Sequence, residues 1–367
     1  MSRQSARLCF IGNLLGGNPD HPVSQSQLLV KLFASEGYEV RCASSKLNRL
    51  ARLADIIAVL ITGRQRFDAV VLDLYSNFYF LAADIASLLC KLFRIPLIMV
   101  MHGGELPEFV RRFPRWTKRV LDRPTLLTAP SPFLAREIGA LGYDVRVIPN
   151  VVDLSLYPFR ERSEIRPRLI WMRSFHPIYN PEMAIRVLAR LRESQPDAIL
   201  TMAGSDKGLE NNSRSAAREC GVADAVRFVG FLNWKSKLEE LSAADIYLNT
   251  NRKDNMPVSV VEAQAMGLPV VATNVGGLPF LIENGKNGFL VPTEDANQMA
   301  AKIKTLLDNP QTTASFSRNG RASAEQSSWA SVKPLWEALF SEVMGSGPMK
   351  RHRPSGNQTD IALNGGL

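Results

Sequence analysis

Short, fully apolar runs alternate with helical periodicity along almost the whole chain, and they do so in two successive series. The first series has runs near 8–12, 38–43, 69–72, 96–101, 125–129 and 145–149. The second has them near 168–172, 198–203, 226–229, 246–249, 269–273 and 288–291. Helical patterns fall between them, for example at 24–35 and 77–93, then at 181–193, 213–220, 235–243 and 257–266. A strand without a polar face must be covered on both sides, which a parallel sheet built from βαβ units achieves. The expectation is an α/β chain with two Rossmann-like, doubly wound parallel-sheet domains.

A length of 367 residues suits two domains of ordinary size. The first is expected over 1–156 and the second over 168–328. The polar, charged stretch 157–167 between them reads as a linker. Three further helical stretches follow at 295–307, 312–326 and 329–344, and the last is expected to pack back toward the first domain. The remainder, 345–367, is rich in Gly, Pro, Asn and basic residues and reads as a disordered tail.

The net charge of +9 is unevenly placed: residues 1–160 carry 20 Lys/Arg against 13 Asp/Glu, the rest 24 against 22. The excess in the first half suits an anionic membrane surface, an anionic substrate or nucleic acid. Within it, Arg111-Arg-Phe-Pro-Arg-Trp-Thr-Lys-Arg119 mixes five basic residues with Phe113 and Trp116. That composition suits contact with an anionic membrane. Nucleic acid is not expected as a partner, since no binding motif accompanies the run. The most apolar region, 78–101, is interrupted by Asp84, Lys91, Arg94 and Pro96, so it reads as a helix followed by a strand. The start of the chain lacks a signal-peptide cleavage pattern and reads as a first strand. Four cysteines lie far apart, three of them in apolar runs, and read as buried free thiols in a reducing compartment. The expected location is cytoplasmic, at the inner face of the membrane if the basic run makes that contact.

Residues able to carry chemistry sit just after the apolar runs. Gly12-Asn-Leu-Leu-Gly-Gly-Asn18 follows the first run and precedes a helix expected to be capped by Ser24. The adjacent Gly16 and Gly17 permit close approach of backbone to a phosphate or sugar. The spacing is not that of the dinucleotide fingerprint, which disfavours a nicotinamide dehydrogenase. His102, followed by Gly103 and Gly104, stands past the fourth run, where a histidine can donate to a substrate hydroxyl or stabilise developing charge. No second histidine has ligand spacing, so no metal is expected. Arg173 stands past the first run of the second series, placed to clamp a diphosphate. The densest signal is Asp254-Asn-Met-Pro-Val-Ser-Val-Val-Glu262, followed by the apolar run 269–273 and by Gly276 and Gly277. A carboxylate among so many valines and alanines is costly to bury without a partner. Its expected partner is a ligand hydroxyl at the carboxyl edge of a parallel sheet.

Together these residues resemble the family 4 glycosyltransferases of GT-B fold, whose two Rossmann-like domains face a central cleft. The resemblance covers nearly the whole chain. Its most specific part is Asp254 to Gly277, similar to the family's E-x7-E motif. Ala129-Pro-Ser131, Val147-Ile-Pro-Asn150 with Val152-Asp153, and Phe228-Val-Gly230 add weaker matches. The resemblance implies retaining transfer from a nucleotide-diphosphate sugar to a saccharide or lipid-linked acceptor, as in polysaccharide assembly, with neither metal nor cofactor. It implies that Glu262 holds the donor ribose and Asp254 lies near the donor sugar. Asn255, Met256, Pro257 and Val258 would present backbone amides at the helix start. Arg173 would bind the diphosphate, Gly16 and Gly17 would lie near donor phosphate and acceptor, and His102 would contact the sugar. Gly230, Phe231 and Leu232 would lie beside the nucleobase.

Two departures stand out. Asp254 is one methylene shorter than the usual glutamate, and Asn255 stands where glycine is common. The family's arginine–lysine pair is also incomplete, because Ile178 occupies the position five residues after Arg173. Arg252 or Lys253 is expected to supply the missing diphosphate contact. Two other readings remain open at this point: a sugar-nucleotide epimerase of the same architecture, and a non-catalytic sugar-nucleotide-binding protein.

Overall fold

The computed structural model describes residues 6–15, 23–76 and 78–345. Six parallel strands form the first sheet: β1 (Arg7–Ile11), β2 (Glu39–Ala43), β3 (Ala69–Leu74), β4 (Leu97–Met101), β5 (Leu126–Ala129) and β6 (Val145–Val147). Six more form the second: β7 (Arg168–Met172), β8 (Ile199–Ala203), β9 (Val226–Gly230), β10 (Ile246–Asn249), β11 (Val270–Thr273) and β12 (Phe289–Val291). The strand order is β2-β1-β3-β4-β5-β6 in the first sheet and β12-β11-β10-β7-β8-β9 in the second. All pairs are parallel; Leu8 of β1 faces Ala69 of β3, and Leu248 of β10 faces Trp171 of β7. The order of the chain reverses between β1 and β3 in one sheet and between β7 and β10 in the other. Each reversal opens a crevice at the carboxyl ends of the strands, where α/β sheets bind ligands.

The apolar runs are fully apolar because both faces of each sheet are covered. In the first sheet Cys9, Ile11, Val70 and Leu72 join one core. The alternating Leu8, Phe10, Val71 and Ile98 join another on the opposite face. The second core is closed by the last helix, Trp329–Gly345, through Val332, Trp336, Leu339, Phe340 and Val343. Phe33 sits at its centre, with ring centroids of Trp329, Phe340 and Trp336 at 4.9, 5.3 and 6.4 Å. The chain therefore leaves the second sheet after the helix Pro310–Glu325 and finishes on the first. Ser24 caps the helix Gln25–Ser35 in a reciprocal capping box with Gln27.

Two expectations change. The 157–167 stretch is fastened to the second domain. Arg162, 3% exposed, donates to the carbonyls of Arg160, Leu241, Ala244 and Met266. Burial lowers its pKa to about 10. Of the four thiols only Cys9 and Cys90 are buried; Cys42 lies exposed on the edge strand β2 and Cys220 ends a surface helix. The tail beyond Gly345 lies outside the described residues.

Candidate functional site

Arg173 follows β7 directly and Asp254 lies in the loop after β10, so both stand at the reversal of the second sheet. Arg173 Nη2 donates to Asp254 Oδ2 at 2.7 Å, and Asn251 Nδ2 donates to the same oxygen at 2.5 Å. Burial alone would lower the Arg173 pKa; the Asp254 carboxylate outweighs it and the net direction is up. The guanidinium also lies 4.0 Å from the ring centroid of Tyr179. The loop is held by Gly276 and Gly277. A Cβ on Gly276 would meet the Asp254 carbonyl oxygen at 2.0 Å, and one on Gly277 the Asn255 carbonyl oxygen at 1.5 Å. Gly277 N–H donates to that Asp254 oxygen at 3.1 Å. Only a pair of glycines allows this backbone-on-backbone contact.

Glu262 lies in the helix Val258–Ala265, which starts at Pro257 without a side-chain cap. Its Oε1 accepts from Tyr157 Oη at 2.5 Å and Lys237 Nζ at 2.6 Å. Burial, then the Glu262 charge, raises the Tyr157 pKa. Lys237 in turn sits 4.6 Å from the Trp234 ring. The Glu262 carboxylate thus has one oxygen held by the protein and Oε2 left for another donor. Nothing in the sequence pattern pointed to Tyr157, Trp234 or Lys237, because Tyr157 and the helix Trp234–Ala243 lie far from Glu262 in the chain and only the fold gathers them.

The amides expected from Asn255 to Val258 are fewer than four. Pro257 has no N–H, and Asn255 N–H is taken by Asp254 Oδ1 at 2.8 Å. Met256 is buried, its Sδ facing the Asn150 N–H at 3.3 Å. Gly230 ends β9 and accepts from Gly204 N–H at 2.8 Å; Phe231 is partly exposed beyond it, with Leu232 following. Arg252 stands on the second domain's side of the interdomain cleft, with its guanidinium held within its own domain. Its guanidinium donates to Glu294 Oε1 (2.6 Å), the Pro177 carbonyl (2.8 Å) and Asn180 Oδ1 (3.1 Å). It staples the turn that carries Ile178, whose carbonyl accepts the Arg252 N–H at 2.7 Å. Lys253 alone of the two turns toward the other domain, where its Nζ meets Glu108 at 2.6 Å.

On the first domain, His102 follows β4 and its Nε2 lies 3.0 Å from Asp73 Oδ1. Both are almost fully buried. Ser26 Oγ donates to the same carboxylate, 2.7 Å from each oxygen. The Tyr75 ring stacks on the imidazole at 4.9 Å and 18°. A carboxylate oxygen offers only lone pairs, so Nε2 carries the hydrogen and a neutral ring leaves Nδ1 as an acceptor. Nδ1 is the ring nitrogen that Asp73 does not engage. Asp73 closes the reversal point of the first sheet: a Cβ on Gly12 would lie 2.1 Å from its Oδ2. Its position inside the all-buried strand β3 made it look like a core residue. Gly16 and Gly17 lie outside the described residues.

Three loops of the first domain converge on residues 254–256. A Cβ on Gly104 would lie 3.1 Å from the Asp254 backbone. Ser131 Oγ hydrogen-bonds Asn255 Oδ1, and Asn150 Nδ2 donates to the Met256 carbonyl at 3.1 Å. Beside this seam is a cleft of about 290 Å³. Gly104, Glu108, Arg111 and Phe133 line one side of it, and Arg252, Lys253 and Asp254 the other.

The basic run 111–119 is largely spent within the first domain. It folds into the helices Leu106–Arg112 and Pro114–Leu121. Arg111 pairs with Glu137, Lys118 with Asp122, and Arg119 and Trp116 both reach Asp84, which also takes Arg123. Phe113 packs on Phe109 and Trp116. No helix of the described residues is long and apolar enough to cross a membrane.

Comparison with known proteins agrees with this geometry. Residues 159–323 match the family described as glycosyl transferases group 1, and residues 26–156 match Glycosyltransferase Family 4. The D-inositol 3-phosphate glycosyltransferase of Paenarthrobacter aurescens is 28% identical over 307 residues, 76% of this chain and 74% of the relative. That of Corynebacterium glutamicum is 25% identical over 315 residues, 77% and 75%. Among solved structures, sucrose-phosphate synthase from Thermosynechococcus elongatus superposes with a TM-score of 0.78 at 16% identity, covering 93% of this chain and all of that one. Anabaena HepE in complex with UDP does so at 0.72 and 20%, covering 92% and 100%. These structures share the GT-B fold. The chain belongs to the group 1 glycosyltransferases of family 4 and is a retaining glycosyltransferase.

Proposed function

We propose that the cleft transfers a sugar from a nucleoside-diphosphate donor to a saccharide or lipid-linked acceptor. Glu262 holds the ribose hydroxyls, Arg173 and Lys253 stabilise the diphosphate, and Asp254 and His102 meet the donor sugar. The observation that carries this reading is the pairing of Arg173 with Asp254 at the second sheet's reversal, directly against the His102–Gly104 loop. A cation preset there faces the oxygens on which charge develops as the diphosphate leaves. Phe231 is placed for the nucleobase at the outer end of the same strand edge. Anabaena HepE was solved with UDP and with UDP-glucose, which supports a uridine donor as the first to try.

In this reading the acceptor hydroxyl oxygen bonds the anomeric carbon on the face from which the diphosphate departs. The carbon–oxygen bond to the diphosphate breaks, and the hydroxyl proton passes to the departing phosphate oxygen. Retention then needs no carboxylate nucleophile, and Asp254, held by Arg173 and Asn251, is placed to orient the sugar. Closure of the two domains keeps water from the reacting carbon. The relatives named for inositol 3-phosphate support a hydroxyl acceptor carrying an anionic group, with Arg111 and Lys253 on the cleft wall.

The test is a nucleoside-diphosphate release screen across common donors, with and without saccharide, inositol phosphate and lipid-extract acceptors. Release that requires an acceptor is the expected result. Conversion of donor without any acceptor would make the protein an epimerase. Tight donor binding with no release under any condition would make it a binding protein.

A further inference from the structure

Two helices of the first domain, Arg49–Gly63 and Phe78–Phe93, carry apolar residues on the side that should be polar. They lie side by side and parallel. Arg52 sits over the Tyr79 ring near their starts (5.7 Å), and Arg64 over the Phe93 ring at their ends (5.9 Å). The inward faces are accounted for: Ile56, Val59 and Leu60 from one helix, with Phe80, Ala83, Ala86 and Cys90 from the other, enter the domain core. The outward faces are nevertheless not polar. Leu50, Ala54, Ala58 and Ile61 are all exposed and recur at intervals of four, four and three, one stripe along the first helix. Leu81, Leu88 and Leu92 form the matching stripe on the second. Leu50 is 74% exposed and Leu92 is 65% exposed, values of side chains standing almost clear of the protein. A shallow groove between the helices is lined by Leu53, Tyr79, Leu81 and Ala82.

The rim of this surface is cationic. Lys46 precedes the first helix; Arg64 and Arg66 follow it, and Lys91 and Arg94 close the second, all of them exposed. The acidic residues near it are few. Asp55 is half-buried on the first helix, and Asp84 is turned inward to Arg119 and Arg123. Monomeric soluble proteins rarely leave contiguous apolar faces of this kind without a partner. A second copy of the chain would bring one cationic rim against another, which repels.

We infer that this two-helix face docks on an anionic lipid surface, the leucine stripes entering the interface and the Lys/Arg rim meeting the headgroups. The membrane contact therefore belongs to helices 49–63 and 78–93 and not to the basic run 111–119, where Arg111, Lys118 and Arg119 are paired within the domain. The inference is independent of the donor site, which lies at the carboxyl ends of the strands.

The experiment is co-sedimentation of the full chain with vesicles of phosphatidylcholine alone and of phosphatidylcholine mixed with phosphatidylglycerol. The wild type should bind the anionic vesicles and lose binding as added salt shortens the screening length below about 10 Å. The double variant Leu50→Glu/Leu92→Glu, both side chains being solvent-facing, should bind about tenfold less or weaker still while keeping its circular dichroism and melting temperature. Lys91→Glu/Arg94→Glu should weaken binding and flatten its salt dependence. Absence of wild-type binding to anionic vesicles, or binding unchanged in Leu50→Glu/Leu92→Glu, overturns the inference. So does analytical ultracentrifugation showing a wild-type dimer that the leucine variant dissolves, which would assign the face to self-association.

Discussion

The two sheets reverse their strand order at different places, and the two crevices are furnished in opposite ways. The second domain's crevice is made of charged side chains that hold one another: Arg173 with Asp254, and Lys237 with Glu262. On the first domain's side, among the described residues, His102 pairs with buried Asp73, Gly12 and Gly104 bring backbone close, and Glu108 and Arg111 stand on the cleft wall. The difference teaches how labour is divided in a two-domain transferase. A diphosphate needs fixed positive charge and a ribose needs a fixed acceptor, so that half is costly to reshape. The facing half must admit a variable acceptor, and the charges on its wall, Glu108 and Arg111, are exposed.

The sharpest way to break the comparison is to remove charge from the second crevice. Arg173→Ala should lower kcat by about 100- to 1,000-fold, on the order of 3–4 kcal/mol of barrier, in steady-state assays of nucleoside-diphosphate release. Arg173→Lys should recover only part of this, since a point charge cannot reproduce the guanidinium fork. On the first side, Asp73→Asn should reduce kcat by about 10- to 100-fold. It should add little to His102→Ala in the double variant, because Asp73 acts through His102 by fixing its tautomer. Additive losses would mean that Asp73 has a separate role. The smallest effect separates neighbours. Lys253→Ala should cost about tenfold in turnover, roughly 1.4 kcal/mol. Arg252→Ala should change turnover by less than about threefold, yet lower the denaturant midpoint by on the order of 1 kcal/mol of stability, because it staples Pro177, Asn180 and Glu294.

Much of this was legible in the sequence for a simple reason. A strand buried on both faces has little freedom to include polar residues, so central strands such as β4, β10 and β11 announced themselves. Their partner order did not, because parallel pairing leaves no mark in the runs themselves. The Asp254–Glu262 segment was legible because two carboxylates in an apolar context need an explanation, and Gly276–Gly277 because the backbone of Asp254 and Asn255 leaves no room for a Cβ. Asp73 was not, since its place in the all-buried strand β3 gives no sign of a role until His102 and Ser26 are brought to it. Lys237 and Tyr157 were hidden likewise, 25 and 105 residues from Glu262. The partners of the basic run 111–119 were not legible, because composition records charge but not what pairs with it. Asp84 absorbs two of the arginines around it and the Trp116 indole. The Asn255 departure acquires a use instead: its side chain bridges to Ser131 of the facing domain.

The central claim is that the second domain grips the donor through Glu262 while the first only closes over it. Isothermal titration of nucleoside diphosphates into wild type, Glu262→Ala and His102→Ala tests it most directly. Nucleotide affinity should fall at least about tenfold in Glu262→Ala, or 1.4 kcal/mol, and stay within about twofold of wild type in His102→Ala. Equal affinity in Glu262→Ala and wild type, with the variant folded by circular dichroism, would contradict the account.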